Sequence, residues 1–265
     1  MFSQISDFLA NTPLWTPQMI AILIGVGAFV GFINTIAGLA TAISYWLFMA
    51  MGMPINIANA TTRFGVLMQF SATSAIFKKE GYLDLKVATK VGIPVAIGAF
   101  AGAELAAYLP AGITEIVMAV MLPLMVVLLL IDKKKVEKKF SFTGSTEMTP
   151  LKYVVFTLIG IYGGFTHAGV GLLIMCGSFI FLGLDMIRSN AIKQFAVVIY
   201  TPIALLIFAL HGQINWPVAI IYSVGNIIGG IIASKVAIKW GERFIKISVG
   251  VVVITMSLWL IFKNI

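Results

Sequence analysis

The chain has 265 residues, of which 60% are hydrophobic and only 11% charged, and its mean hydropathy is +1.03. Soluble domains run near half apolar and about a quarter charged, so this composition excludes an ordinary soluble domain, which could not keep so much apolar surface from water. The net charge of +8 lies in short runs between long apolar stretches, not on one solvated face, which argues for a polytopic membrane protein and against a nucleic-acid partner.

Ten apolar segments follow one another, roughly 18–37, 39–51, 58–77, 87–108, 112–131, 151–167, 171–183, 190–210, 214–234 and 244–262. A helix needs about 20 residues to cross the hydrocarbon, so the fold class is all-α and membrane-spanning. The second and seventh segments, at 13 residues each, are too short to span. Segments 1–2 and 6–7 therefore read as broken or re-entrant hairpins. No Lys or Arg precedes Arg63, so no cleavable signal peptide is expected.

Alternating the connections puts 16 of the 18 basic residues on one side, from Lys78 and Lys79 to Lys246, and leaves Arg63 and Lys263 on the other. The positive-inside rule then places both termini outside a plasma (inner) membrane. The stretch 133–149, KKKVEKKFSFTGSTEMT, reads as a cytoplasmic linker between a first transmembrane repeat, 1–132, and a second, 150–265.

The halves match in order. Gly31-Phe32-Ile33-Asn34-Thr35-Ile36-Ala37-Gly38 faces Gly164-Phe165-Thr166-His167-Ala168-Gly169-Val170-Gly171 at an offset of 133. Asn59-Ala60-Thr61-Thr62-Arg63 faces Asn190-Ala191-Ile192-Lys193-Gln194, and Gly81-Tyr82-Leu83-Asp84 faces Gly212-Gln213-Ile214-Asn215, both at 131. Each half has five segments, an odd number, so the second enters from the opposite face. Inverted repeats with interrupted helices are a transporter architecture.

The glycine-rich joints carry the chemistry. Where the chain turns inside an apolar stretch, the next short helix starts at mid-depth with free N–H groups and a positive dipole end, an attraction for anions. Asn34, Thr35 and Gly38 mark one joint; Thr166, His167, Gly169 and Gly171 mark the other. His167 could also titrate near neutral pH. The alternative is that the glycines only permit close helix packing, the better reading for Gly98-xxx-Gly102 and Gly225-xxx-Gly229. A second constellation opens segments three and eight, with Asn59, Thr62 and Arg63 in one and Asn190, Lys193 and Gln194 in the other. Arg63 and Lys193 each lie inside an apolar segment with no carboxylate near in sequence, so either an anionic substrate is their partner or they snorkel to headgroups.

Other chemistries lack their residues. The lone Cys176 excludes an intramolecular disulfide, and with His167 and His211 as the only histidines a metal site is not expected. No nucleotide-binding loop or nucleophile–base pair is present, so no cofactor is expected and the chain does not read as an enzyme.

The duplicated joints, with Asn-Ala-Thr-Thr-Arg after the first and Ile161-Tyr162-Gly163-Gly164-Phe165 before the second, resemble the sulfite exporter TauE/SafE family from about residue 25 to 250. The resemblance implies a carrier for small sulfur-containing anions such as sulfite or organosulfonates. The residues and the resemblance together predict a secondary transporter exporting such an oxyanion by alternating access. An anion channel and an intramembrane enzyme acting on a lipid-linked substrate are the alternatives. The bilayer is the expected partner, and the glycine stripes could serve a homodimer as readily as the core.

Overall fold

The structure, a computed structural model, describes residues 2–110, 112–113, 116–117, 120 and 145–263. Most of the predicted fifth segment, 112–131, and most of the 133–149 linker lie outside the described residues. All regular structure within them is helical: α1 Phe2–Asn11, α2 Pro17–Ile36, α3 Thr41–Ala50, α4 Ile55–Lys79, α5 Leu85–Tyr108, α6 Pro150–Phe165, α7 Val170–Phe181, α8 Met186–Leu210 and α9 Trp216–Lys263. Gly241 (φ 75°, ψ −169°) interrupts α9, so its two arms correspond to the ninth and tenth predicted segments.

Local chemistry sets the boundaries. Thr16 precedes Pro17 and accepts from Met19 N; Asp84 accepts from Lys86 N and Val87 N; Asp185 accepts from Arg188 N. These are N-cap contacts over otherwise unpaired helix donors. Three pairs of left-handed glycines end the elements, Gly38 and Gly169, Gly52 and Gly183, Gly81 and Gly212, and every pair is separated by 131 residues. The tips therefore align Gly38 with Gly169. The sequence match of Gly38 to Gly171 is two residues out.

Among the described residues four helices are long and apolar enough to cross a membrane: α2, α5, α8 and the stretch Trp216–Ile245 of α9. The 25-residue α4 falls short in hydropathy because its polar residues, Asn59, Thr61, Thr62, Arg63, Gln69 and Thr73, are all buried inside the bundle.

Helix α2 packs along α9, and α6 packs along α5. Glycine lets the backbones touch in both seams. A Cβ at Gly225 or Gly229 would run into the carbonyls of Ile24 or Ala28, and one at Gly98 or Gly102 into those of Thr157 or Ile161. Close packing is thus the role of these four glycines. These seams also correct the register of the first helices. Gly31 meets Asn226 while Gly160 meets Val95, so the two seams pair Gly31 with Gly160 at an offset of 129, where the sequence match gave 133. Each helix carries Gly-xxx-Gly (Gly27 and Gly31, Gly160 and Gly164), so sliding the match by four residues still lays glycine on glycine.

The contacts also give directions. Helix α9 ascends with both α2 (Ile24 to Gly225, Ala28 to Gly229) and α4 (Gly65 to Tyr222, Gln69 to Gly230). Helix α5 ascends with α6 (Gly98 to Thr157, Gly102 to Ile161). The central pair, α4 and α8, runs antiparallel, since Thr73 bonds Gln194 while Arg63 lies over Phe208. Val66 and Phe70 of α4 and Val197 and Tyr200 of α8 belong to the largest buried apolar cluster.

Candidate functional site

Two hairpin tips define the site. The last turn of α2 lies beside the middle of α4, where Gln69 Nε2 donates to Gly31 O (3.0 Å) and Thr35 Oγ1 (2.9 Å). Residues 37–40 then reverse the chain, and α3 returns beside the first half of α4, with Tyr45 Oη donating to Asn59 Oδ1 at 2.8 Å. Asn34 staples this tip by accepting from Ala40 N (2.8 Å) and donating to Thr41 Oγ1 (3.0 Å). The second tip, residues 166–169, is tied by Tyr162 Oη to Ala168 O (2.6 Å) and by His167 N to Tyr45 Oη (3.1 Å). His167 Nδ1 lies 2.6 Å from Tyr200 Oη. The tips touch. A Cβ on Gly38 would sit 2.6 Å from Leu172 N, and one on Gly171 would sit 3.1 Å from Gly38 Cα.

Arg63 and Lys193 are fully buried, so neither snorkels to a headgroup. Each reaches instead to the carbonyl end of a helix distant in sequence, α6 for Arg63 and α2 for Lys193. Arg63 Nη1 and Nη2 donate to Gly163 O (3.1 Å) and Gly164 O (2.7 Å) of α6. Lys193 Nζ donates to Asn34 O (3.1 Å) and Thr35 O (2.8 Å) of α2. At the 129-residue offset these are the same two carbonyls, the third and second from each helix end. Cations are favoured at helix C-termini because the unpaired carbonyls there carry the negative dipole end, roughly half an elementary charge.

The following helices begin without cover. Neither α3 nor α7 has a side-chain cap, and the N–H groups of Thr41, Ala42 and Gly171 have no partner among the described residues. Arg63 Nε and Asn190 Nδ2 are buried donors without a partner, and Gln69 Oε1 is a buried acceptor without one. The exposed Arg188–Asp185 ion pair, at 3.5 Å, involves neither of the two buried cations. Each tip joins a negative helix end to a positive one, and these roughly cancel. The two cations are then left without a balancing carboxylate.

All ten side-chain-bearing candidates from the sequence, Asn34, Thr35, Asn59, Thr62, Arg63, Thr166, His167, Asn190, Lys193 and Gln194, are buried. Hydrogen bonds tie most of them into two networks. Gln194 Nε2 donates to Thr35 O and Asn190 Oδ1, both at 3.0 Å, and Asn59 Nδ2 to Phe165 O at 2.8 Å. Thr62 Oγ1 folds back on Asn59 O (2.8 Å). Participants that were not anticipated include Thr41, Tyr45, Gln69, Thr73 and Tyr200. Asn59, Arg63, Gln69 and Thr73 form a stripe at near-helical spacing, and that spacing was a usable signal for Gln69 and Thr73.

Such a bundle, with interrupted helices meeting tip to tip, is the architecture of a multi-pass membrane transporter. The family model described as sulfite exporter TauE/SafE matches residues 23–260, and the chain belongs to that family. Curated relatives carry the same class of name. "Probable membrane transporter protein ORF9" of Sinorhizobium sp is 23% identical over 89% of this chain and 90% of its own. "Probable membrane transporter protein YdhB" of Bacillus subtilis is 26% identical, over 82% and 88% respectively. A "Probable membrane transporter protein" of Haemophilus influenzae is 23% identical, over 93% and 96%. No solved structure matches the chain.

Proposed function

We propose that this chain is a secondary transporter that exports a small sulfur oxyanion, sulfite or an organosulfonate, by alternating access, with the substrate held between the two tips. The observation that carries the reading is the pair of buried cations, Arg63 and Lys193, with no carboxylate to balance them among the described residues. A buried charge without a counter-charge is costly, so the region favours an anion of up to two negative charges. An oxyanion offers only acceptors, and the N–H groups of Thr41, Ala42 and Gly171, Arg63 Nε and Asn190 Nδ2 are donors lacking one. In this reading Arg63 and Lys193 hold the tips and supply field, while the unpartnered donors grip the substrate. Gly38 and Gly169 shape the turns, and Thr35, Asn59, Thr62, Thr166, His167 and Gln194 hold the surrounding frame.

The same reading takes the halves, 1–132 and 150–265, as inverted repeats joined by a cytoplasmic linker, with both termini external and the two hairpins re-entrant. The antiparallel α4 and α8, the parallel seams and the glycine pairs at a constant offset support it. Alternating access then rocks one half against the other around the touching tips. No bond-making chemistry is assigned to the chain.

Counterflow in proteoliposomes tests the proposal. Vesicles preloaded with unlabelled sulfite should take up labelled sulfite against its gradient and saturate, with sulfate and sulfoacetate as competitors ranking selectivity. A conductance that neither saturates nor shows counterflow would identify a channel instead.

A further inference from the structure

Where α5 and α6 begin, side by side, the outer surface of the bundle holds a cavity of about 520 Å3 lined by Leu85, Lys86, Thr89, Lys90, Ile93 and Tyr153. Lys86 and Lys90 are exposed, one helical turn apart, and unpaired with any carboxylate among the described residues. Asp84, the nearest carboxylate in the chain, is turned onto Lys86 N (2.8 Å) and Val87 N (3.2 Å) as the α5 cap. Lys152, beside Tyr153, is turned onto Ser145 O and Glu147 O.

Beyond Lys90 the charge stops and the same face becomes apolar. Ile93, Ile97 and Phe100 on α5 are 50%, 63% and 55% exposed, and Leu158 on the adjoining α6 face is 59% exposed. At 1.5 Å per residue the strip runs about 16 Å from Lys86 to Ile97. The surface thus has a cationic end and an apolar length, the outline of an anionic lipid. A soluble phosphate would use only the cationic end, and a zwitterionic lipid would bring its own ammonium against two others.

The molecule contains its own control. At the 131-residue offset Lys86 and Lys90 correspond to Pro217 and Ile221 of α9, and at 129 Tyr153 corresponds to Ile24 of α2. The equivalent seam in the other half carries no charge. The two lysines are therefore not demanded by the packing of the fold.

We propose that this groove is a binding site for one anionic phospholipid, its phosphate between Lys86 and Lys90 and its acyl chains along Ile93, Ile97 and Leu158. The inference needs only that α5 and α6 lie in a bilayer, and it stands apart from the identity of the transported anion.

Native mass spectrometry of the full-length protein in detergent, titrated with dioleoyl phosphatidylglycerol or dioleoyl phosphatidylcholine, tests it. Near an anionic headgroup each lysine contributes about 1 kcal/mol, so Lys86→Gln/Lys90→Gln should weaken phosphatidylglycerol binding about thirtyfold. Lys86→Arg/Lys90→Arg should restore it, and Lys78→Gln/Lys79→Gln should leave it unchanged. Phosphatidylcholine should bind wild type weakly, a comparison that stands even if the double variant is poorly recovered. Equal affinity for the two lipids, or no change in the Lys86/Lys90 double variant, would overturn the proposal. So would displacement of phosphatidylglycerol by millimolar glycerol 3-phosphate, which would assign the groove to a soluble phosphate.

Discussion

At the α6–α7 tip one residue, Arg63, takes the carbonyls of Gly163 and Gly164 and also reaches Asn59 Oδ1 at 3.3 Å. At the α2–α3 tip those contacts are divided between neighbours: Lys193 takes the carbonyls of Asn34 and Thr35, and Gln194 takes Asn190 Oδ1. In the 131-residue register Arg63 aligns with Gln194, and Lys193 with Thr62, so the cation has moved one place in sequence while keeping its place in space. What the halves share is a backbone requirement. Two carbonyls at a buried helix end need donors, and either a guanidinium or an ammonium with an amide beside it can meet that need.

The tips differ most in tolerance, and the largest expected effect is at their crossing. Gly38 combines a left-handed φ of +76° with backbone 2.6 Å from a new Cβ, whereas Gly171 has no such φ and its nearest neighbours are at 3.1 and 3.3 Å. Gly38→Ala should therefore collapse both yield and transport. Gly171→Ala should fold and retain measurable counterflow. Similar losses in the two variants would remove the asymmetry. For scale, Gly52→Ala, strained in φ but facing open space, should cost only about 1–2 kcal/mol of stability.

Next comes the cation. Arg63→Gln removes a charge-assisted contact worth roughly 1.5–3 kcal/mol and should weaken sulfite affinity about ten- to hundredfold. Arg63→Lys should recover part of this, because an ammonium holds the matching carbonyls in the other tip but cannot also reach Asn59. Lys193→Arg should remain active. Wild-type affinity in well-folded Arg63→Gln would show that this charge is not part of the site.

A smaller effect separates frame from grip. Asn59 accepts from Tyr45 and Arg63 and donates to Phe165 O, whereas Asn190 Nδ2 has no partner. Asn59→Ala should lower Tm by several degrees, as expected when buried partners are stranded. Asn190→Ala strands only one Gln194 N–H, so it should lower Tm less than Asn59→Ala does while raising the apparent KM for sulfite. The smallest effect is expected for Tyr200→Phe, which removes the 2.6 Å contact to His167 Nδ1 at a cost of about 1 kcal/mol.

Much of this was readable from residue order. Apolar segment length placed the helices within a few residues, with 58–77 becoming Ile55–Lys79 and 190–210 becoming Met186–Leu210. Polar and glycine residues inside apolar stretches marked both tips. Three things escaped for identifiable reasons. The Gly-xxx-Gly repeat made the α2–α6 match degenerate by one helical turn, which only the seams against α9 and α5 resolve. Tyr45 and Tyr200 look apolar in a hydropathy pattern, and their hydroxyls matter only because the fold brings them to Asn59 and His167. Helix α1, Phe2–Asn11, is too short to register as a span and is placed by packing against α3.

The central claim, that tips from opposite halves build one oxyanion site, is tested most directly by sulfite titration calorimetry on purified wild type and on Asn190→Ala. The expected result is one sulfite per chain for wild type, and an affinity about tenfold weaker in a variant that stays folded and loses less Tm than Asn59→Ala, as loss of a single donor to an anion implies. Unchanged affinity in Asn190→Ala, or two independent sulfites per chain, would contradict it.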